Sequence, residues 1–489
     1  MKQASSFEKV AARGWNLLNE GKPFTPIFVI GMMLLYHLND LNTSAGALAI
    51  SVIYVLPLLA LFYYFDFPLL LRSYLWIPVV GFLMIFESSY LPLWLLAIGL
   101  YFFFTVFFWG TFYYHVRIGT TWWNFTRFWK LVLKNSDSTS GNAQEQIPKF
   151  VLLLGVWEYA FQHLDTGGLS ITNLYQLILF YAGVAVFTWI LHHFLFDWKP
   201  KPYESYTKEN YNEAEEATND RVIVIVIDGM RKDRFEAAHT PFLDSLKQQG
   251  TEYTQMETVY PARTVVCFTS MFTGTYPFEH KIQSNMVWKL GAQTESIFDS
   301  LRKVDKKGRL LGIAHLVDTF GDDVDTVTAV MHNDVADQNI VQKGKKIMEE
   351  ENPELFIMQL ISTDQTGHSR GVLYDDYIEK IEETDTLVKD YVEWLTDKGF
   401  MENTTLMICA DHGQADGIGG HGHLDEGERF VPFFMTGPTI EKGKRVEKKH
   451  SLVSLAPTIA HLLGAPFPDH SRGEVLTHRQ KEKKEDPAS

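Results

Sequence analysis

The sequence has very little cysteine and no excess of positive charge. Only Cys267 and Cys409 occur among 489 residues, too few for a disulfide framework, so we interpret both as buried thiols. Lys and Arg total 44 against 59 Asp and Glu, which gives a formal net charge of -15. Such a charge excludes broad electrostatic binding of a nucleic-acid polymer.

The first 23 residues lack an uninterrupted apolar run, which argues against a cleaved signal peptide. Long apolar runs occur instead between residues 24 and 196. Those at 45–65, 91–116 and 175–196 reach the roughly 20 apolar residues that a bilayer crossing needs. Shorter runs at 26–38, 74–86 and 148–161 bring the expected number of spans to about six. The sequence thus predicts a multi-pass cell-membrane protein in contact with membrane lipids.

Lys and Arg in short loops predict the orientation in the membrane. The N-terminal flank and the loop after the fourth span are basic, whereas loops 38–46 and 163–173 contain neither residue type. With six spans this places the C-terminal half in the cytoplasm, and a change of one span inverts the result. Within the basic loop, residues 120–134 mix Trp and Phe with Arg and Lys. This segment is either a helix in the membrane interface or an extension of the fourth span.

The chain is expected to consist of a transmembrane domain (1–196), a polar linker (197–218), a soluble domain (219–475) and a charged tail (476–489). In the soluble domain, buried β-branched runs such as RVIVIVID (221–228) alternate with amphipathic stretches. This alternation predicts an α/β domain with a central, mostly parallel sheet sandwiched by helices. In such sheets ligands bind beyond the carboxyl ends of the strands.

Acidic and histidine side chains collect at the ends of the predicted strands. They are Asp228, Asp364, His368, Asp411, His412 and, further on in GGHGH, His421 and His423. Carboxylate and imidazole together suit Zn²⁺, although Mn²⁺ or Fe could take the same ligands. Six ligands exceed the four of one tetrahedral zinc, so two divalent ions are implied.

These motifs resemble those of the alkaline phosphatase superfamily, and within it the nucleotide pyrophosphatase/phosphodiesterase (type I phosphodiesterase) branch. The resemblance covers about residues 220–475 and rests on Asp228-Gly-Met, the Thr264 segment, STDQTGH, ADHG and GHG, in that order. It implies an alkaline-phosphatase-like fold with two sets of metal ligands. One set would be Asp364, His368 and His421, with His421 favoured over His423 by the GGHG context. The other would be Asp228, Asp411 and His412, with Thr264 beside it as nucleophile and metal ligand.

The resemblance also implies a reaction. Thr264 would form a phosphothreonine intermediate that water then attacks. A threonine hydroxyl needs activation, which a metal ion and the positive end of a helix can supply. Asn285 falls where the branch has an asparagine that binds a phosphoryl oxygen, and an uncharged donor suits a diester. Arg263 could contact a dianionic phosphate, but we expect a surface arginine.

Two other chemistries do not fit. A sulfatase needs Cys or Ser in a C/S-x-P-x-R sequence, whereas the nucleophile position holds Thr264, and Cys267 is interpreted as a packing residue. GIGGHG (417–422) satisfies G-x-G-x-x-G but follows DHG rather than a strand-to-helix turn, so a dinucleotide-binding fold is not expected.

Three functions remain open. The first is a membrane-anchored two-metal phosphodiesterase or pyrophosphatase, for which a lipid-linked phosphate ester is a candidate substrate. The second is a transferase that passes a phospho-headgroup to a lipid or glycan acceptor. The third is a non-catalytic membrane protein with a relic domain. Charge bias favours a cytoplasmic catalytic domain, whereas many relatives of the fold work outside the cell.

Overall fold

The computed structural model describes residues 14, 17–18, 20–86, 90–131, 140–195, 199–214, 216–327, 335–417 and 420–477. The chain divides into two compact units. The first consists of Met1–Tyr113 and Trp122–Lys199, and the second of Tyr114–Thr121 and Pro200–Ser489.

The described part of the first unit is helical, as expected from its apolar runs. The α-helices in this part of the chain are α1 Gly21–Tyr36, α2 Leu41–Ser51, α3 Leu56–Tyr64, α4 Trp76–Phe86, α5 Leu91–Phe102, α6 Tyr114–Ile118, α7 Asn124–Leu131, α8 Ala143–Asp165 and α9 Ile171–Leu195. Of these, α6 belongs to the second unit. Shorter 3₁₀ turns lie at Val52–Tyr54 and Leu69–Leu75, and Phe103–Tyr113 is a π-helical stretch that joins α5 to α6.

Two helical segments of the described chain are long and apolar enough to cross a membrane, Leu91–Val116 and Ile171–Leu195. The pair Asn42–Tyr54 and Leu56–Tyr64 is bent by 42° and would make a third if it forms one broken span. These segments coincide with the three longest apolar runs of the sequence. The expected number of six spans stays a prediction.

The aromatic and basic segment after the fourth predicted span is a separate helix. The preceding helix ends at Ile118, and α7 starts at Asn124 after a short non-helical connection. Trp123 exposes 80% of its surface and Trp129 55%. These features favour the interface-helix interpretation over a continuous extension of the span, and its contact with lipid stays a prediction.

The second unit alternates strands and helices. Its strands are β1 Arg221–Ile227, β2 Thr251–Tyr253, β3 Met256–Glu257, β4 Gly308–Gly312, β5 Val324–Thr326, β6 Leu355–Leu360, β7 Thr404–Cys409, β8 Phe430–Val431, β9 Phe433–Thr436, β10 Lys444–Val446 and β11 His450–Ser451. Its longer helices are α12 Pro241–Gln248, α13 Thr264–Thr273, α17 Ala336–Glu351, α18 Ser362–Arg370, α19 Asp375–Asp397 and α21 Leu455–Leu462. Shorter helices are α10 Thr207–Asn210, α11 Lys232–Ala237, α14 Pro277–His280, α15 Ile297–Arg302, α16 Val317–Phe320 and α20 Glu426–Arg429.

Eight of the described strands form one sheet in the order β10-β2-β9-β7-β1-β6-β4-β5. Strand β9 runs antiparallel to both of its neighbours, and the other pairs are parallel. The predicted α/β class with a mostly parallel central sheet is therefore confirmed. A smaller sheet has the order β11-β3-β8.

The centre of the large sheet positions the candidate site. Strand β1 is buried from Val222 onward and pairs in parallel with β6 on one side and β7 on the other. β-Branched residues suit a strand that is covered on both faces. Because the three strands are parallel, the residues that follow them emerge at one edge of the sheet.

Candidate active site

The carboxyl ends of β1, β6 and β7 bring six of the predicted ligands together in two groups. One group contains Asp228, Asp411 and His412, and the other contains Asp364, His368 and His421. Within each group the candidate ligand atoms lie within 4.8 Å of one another. All six side chains are buried except that of His368, which is partly exposed. These are the two sets that the family resemblance implies.

The first group directs three acceptor atoms at one point. His412 Nδ1 lies 2.9 Å from the Gly413 carbonyl oxygen, and a carbonyl only accepts, so Nδ1 carries the proton. His412 Nε2 is then a lone-pair atom, 3.5 Å from Asp228 Oδ1 and 3.3 Å from Asp411 Oδ2. Neither carboxylate oxygen has a hydrogen-bond partner within the described chain. A cation is the species that satisfies such a set, and the set fits Zn²⁺.

The second group has the same construction. His421 Nδ1 donates to the Ala262 carbonyl oxygen at 2.8 Å, which leaves Nε2 as the lone-pair atom. That atom lies 3.2 Å from His368 Nε2 and 3.8 Å from Asp364 Oδ1. A backbone acceptor that fixes the tautomer is typical of histidines that bind metal ions.

Helix α18 accounts for the spacing of two ligands. Asp364 and His368 are four residues apart on this helix, so they share one face, and His368 Nε2 lies 3.3 Å from Asp364 Oδ2. Sequence reasoning placed these residues after a strand but did not predict the helix.

The protonation of the carboxylates reflects how closely they are packed. Burial raises the pKa of Asp228, and the neighbouring charge of Asp411 raises it further. Burial raises the pKa of Asp411 as well, because His412 offsets only part of the effect. Burial would also raise the pKa of Asp364, but His368, His421 and His412 together hold that pKa below its ordinary range. A divalent cation would stabilise the ionised form of all three carboxylates.

Thr264 lies at the edge of the first group. It is the first residue of α13, and its hydroxyl oxygen is 3.3 Å from His412 Nε2. The helix ends at Gly274, whose φ of 71° is left-handed. The hydroxyl therefore sits at the positive end of a helix and beside a candidate metal position.

Asn285 lies at the same helix end. Its Oδ1 accepts a hydrogen bond from the Val265 N–H at 3.0 Å, so the amide NH₂ is the group that can donate to a ligand. The expectation that Arg263 lies on the surface is wrong, since only 3% of its surface is exposed. Arg263 is the N-cap residue of a helix that is buried along its whole length, and it is buried with the helix.

His421, rather than His423, belongs to a metal-binding group in the described chain. His423 is also buried. Glu428 Oε2 accepts hydrogen bonds from the N–H groups of Gly422, His423 and Leu424 at 2.7, 3.1 and 2.9 Å, and so fixes the loop that carries His421.

Sequence reasoning missed two glutamines. Gln359 donates to Asp228 Oδ2 and Gln414 donates to Asp364 Oδ1, each at 2.6 Å. Gln359 is the one polar residue of the β6 sequence LFIMQL, and all six positions of that strand are buried. A polar residue inside a wholly buried strand is the signal that could have identified it.

Two protein-family models match this part of the chain. The model described as type I phosphodiesterase / nucleotide pyrophosphatase matches residues 222–303. The model described as sulfatase matches residues 318–465. Both models are of alkaline phosphatase superfamily domains, and together they include all six candidate ligands and Thr264.

The second unit carries an alkaline phosphatase superfamily domain. Curated relatives of the chain include GPI ethanolamine phosphate transferases and ectonucleotide pyrophosphatase/phosphodiesterases. GPI ethanolamine phosphate transferase 2 of Aspergillus fumigatus is 27% identical over 290 residues, which cover 53% of this chain and 37% of the relative. Ectonucleotide pyrophosphatase/phosphodiesterase 2 of Saccharomyces cerevisiae is 25% identical over 255 residues, which cover 43% of this chain and 51% of the relative. The chain thus spans about half or less of the length of these relatives.

A third relative and one solved structure are also similar to the chain. The catalytic subunit of human GPI ethanolamine phosphate transferase 3 is 30% identical over 147 residues, which cover 29% of this chain and 13% of the relative. The structure of murine ectonucleotide pyrophosphatase/phosphodiesterase 5 matches with a TM-score of 0.45 and 15% identity, covering 51% of this chain and 96% of that chain.

Proposed function

We propose that this protein is a membrane-bound phosphotransferase that moves a phospho-headgroup from a phosphodiester donor to a lipid or glycan acceptor through a phosphothreonine at Thr264. The observation that carries the proposal is the position of the Thr264 hydroxyl, at a helix N-terminus and 3.3 Å from a candidate metal ligand. The relatives named as ethanolamine phosphate transferases favour transfer over hydrolysis.

The residues of the chain would take the following roles. Thr264 Oγ1 forms a bond to phosphorus while the bond to the donor's leaving oxygen breaks, and the hydroxyl proton passes through solvent to that leaving oxygen. Asn285 donates from its amide NH₂ to a phosphoryl oxygen, while its Oδ1 stays engaged with the Val265 N–H. The acceptor hydroxyl oxygen then forms a bond to phosphorus while the bond from phosphorus to Thr264 Oγ1 breaks, and the proton that the acceptor loses restores the Thr264 hydroxyl.

The six side chains of the two groups, all buried except that of His368, would hold two divalent ions, for which zinc suits the donor set. When bound, such ions lower the pKa of a nearby hydroxyl and neutralise charge on phosphoryl oxygens.

A hydrolase is the second candidate. It is favoured by the match of residues 222–303 to the phosphodiesterase / nucleotide pyrophosphatase model and by the yeast relative of that name. In a hydrolase, water replaces the acceptor hydroxyl in the second step, and the first step is unchanged. The two candidates therefore share Thr264 and differ in what resolves the intermediate.

Labelling of the purified full-length protein tests the first step. A phospholipid with a labelled ethanolamine phosphate headgroup is supplied in detergent micelles, and the reaction is quenched with acid. We expect label on the wild type and none on Thr264→Ala. Thr269→Val is the matched control. Thr269 lies on the same helix, and its hydroxyl donates a hydrogen bond to the Val265 carbonyl oxygen at 2.6 Å rather than facing either ligand group. Equal labelling of wild type and Thr264→Ala would refute the mechanism.

The second step separates the two candidates. The headgroup phosphate released into water is measured with and without an added glycolipid acceptor. A transferase releases little without acceptor and labels the acceptor when it is present. Release at the same rate with and without acceptor would favour the hydrolase instead.

A further inference from the structure

Gln359 connects two strands to a candidate metal ligand. Its Oε1 accepts a hydrogen bond from the Ile313 N–H, just beyond β4, at 2.9 Å, and its Nε2 donates to Asp228 Oδ2 at 2.6 Å. A backbone N–H can only donate and a carboxylate can only accept, so neither end of the amide can be exchanged. The side chain is fully buried. Its orientation is therefore fixed by both of its partners.

Gln414 makes the equivalent contact in the other group. Its Nε2 donates to Asp364 Oδ1 at 2.6 Å and lies 3.2 Å from the Asp364 carbonyl oxygen. The surrounding backbone is shaped around this amide. A Cβ atom on Gly367 would lie 1.7 Å from Gln414 Oε1, and one on Gly229 would lie 2.9 Å from Gln414 Nε2.

Each group thus contains one aspartate with an oxygen already occupied by a neutral amide. For Asp228 the remaining oxygen, Oδ1, has no hydrogen bond to any described residue and faces His412 Nε2 at 3.5 Å. A carboxylate has several lone pairs and could rotate among them. The amide prevents that rotation and adds no positive charge that would compete with a cation.

We propose that Gln359 and Gln414 are positioning residues for metal binding: each holds one carboxylate, Asp228 or Asp364, so that a single oxygen is presented to the ion of its own group. The proposal rests on the two metal positions of the proposed function. Outer partners of metal ligands typically contribute about 10- to 100-fold in metal affinity.

Zinc titration of the full-length protein in detergent tests the proposal. The protein is stripped with a chelator and titrated with Zn²⁺ against a chromophoric competitor. We expect the wild type to bind two ions. Gln359→Met and Gln414→Met should each weaken binding of the ion of its own group by about 10- to 100-fold and weaken binding of the other ion less. A smaller effect on the other ion is expected because the two groups touch, with the His412 and His421 ring centroids 3.9 Å apart. The double variant should weaken both.

If the two glutamines only stabilise the fold, their replacement should lower thermal stability without changing zinc affinity. Thr405→Val alters a buried hydroxyl on β7 that has no hydrogen-bond partner among the described residues, and we expect it to leave both zinc affinities unchanged. Lower thermal stability of the glutamine variants with unchanged zinc affinities would overturn the proposal. If Gln359→Met fails to fold, Gln414→Met decides the question in the other group. A wild type that binds no zinc would instead overturn the proposed function.

Discussion

Replacing Gly229 with alanine tests whether the close approach of the Gly229 backbone to the Asp364 carboxylate is needed for zinc binding and turnover. Gly229 follows Asp228 and has a φ of 64°, a left-handed conformation. A Cβ atom there would lie 2.7 Å from Asp364 Oδ1 and 2.9 Å from Gln414 Nε2. The peptide has little freedom to relax, because the Gly229 N–H donates to Asp411 Oδ1 at 3.2 Å and its carbonyl accepts from Tyr377 at 2.6 Å. The carboxylate or the amide must therefore move.

The expected effect of Gly229→Ala has two parts, backbone strain and a steric collision. Alanine in the left-handed region costs about 1–2 kcal/mol. The steric part requires the Asp364 carboxylate to shift by about 0.7 Å, from 2.7 Å to the 3.4 Å at which ordinary contact begins. Displacements on the order of 1 Å in an active site can cost about 100-fold in rate. Gly443→Ala separates the two parts, because Gly443 has a φ of 66° but its Cβ would have no neighbour closer than 3.8 Å. Both variants share the backbone strain, and only Gly229→Ala has the collision.

The assay combines stability, zinc affinity and turnover of bis-p-nitrophenyl phosphate with the glycolipid acceptor present. Both variants should lower the apparent unfolding temperature of the stripped protein, by about 2–4 °C per kcal/mol, and Gly229→Ala should lower it more because it adds the collision to the backbone strain. Only Gly229→Ala should also weaken zinc binding by at least about 10-fold and slow turnover by about 100-fold. Zinc affinity and turnover in Gly229→Ala equal to those of Gly443→Ala would refute the reasoning.

Three further predictions concern buried groups of the second unit. Burial raises the pKa of Asp337 to about 6, so the folded carboxyl resists ionisation and stability is lost as the pH rises from about 4 to 6. Asp337→Asn should therefore be more stable than the wild type by about 3 kcal/mol at pH 8 and equal to it near pH 4, and an unchanged difference across that range in thermal unfolding would contradict this. Cys267 and Cys409 are buried and burial raises the pKa of both thiols, so iodoacetamide should label the native protein only after unfolding; fast labelling of folded protein would show that the thiols are accessible. The hydroxyl of Tyr377 bonds two backbone groups, whereas that of Tyr391 has no partner in the described chain. Tyr377→Phe should therefore cost about 2 kcal/mol in unfolding free energy and Tyr391→Phe close to none, and equal losses would contradict the assignment.

The parts of the fold that the sequence predicts are those with a strong burial pattern. Strands β1, β6 and β7 are short runs that are apolar at nearly every position, and all but the first residue of β1 are buried. The acidic and histidine residues that follow them were placed at one sheet edge by the geometry of parallel strands. Their division into two ligand sets came from the family resemblance, and the structure brings the same residues together.

The helices and strands that were not predicted lack a strong apolar pattern in their sequences. Helix α18 has the polar sequence STDQTGHSR, which contains a glycine and no apolar periodicity, so only its tertiary surroundings explain its conformation. Strands such as β3, β8 and β11 have two residues each, too few to show a period. The burial of Arg263 and the contacts of Gln414 depend on segments distant in the chain, which no local pattern encodes.

The position of β1 has a consequence for how the protein is made. This strand is the first of the sheet to be synthesised, yet its partners come much later: Val222 pairs with Leu355 on one side and Thr405 on the other. Until both arrive, an apolar strand with two open edges is exposed to other nascent chains. A truncated product that ends before residue 404 would keep one such edge and lack Asp411, His412 and His421. We therefore expect premature termination to give aggregates rather than a partly active enzyme.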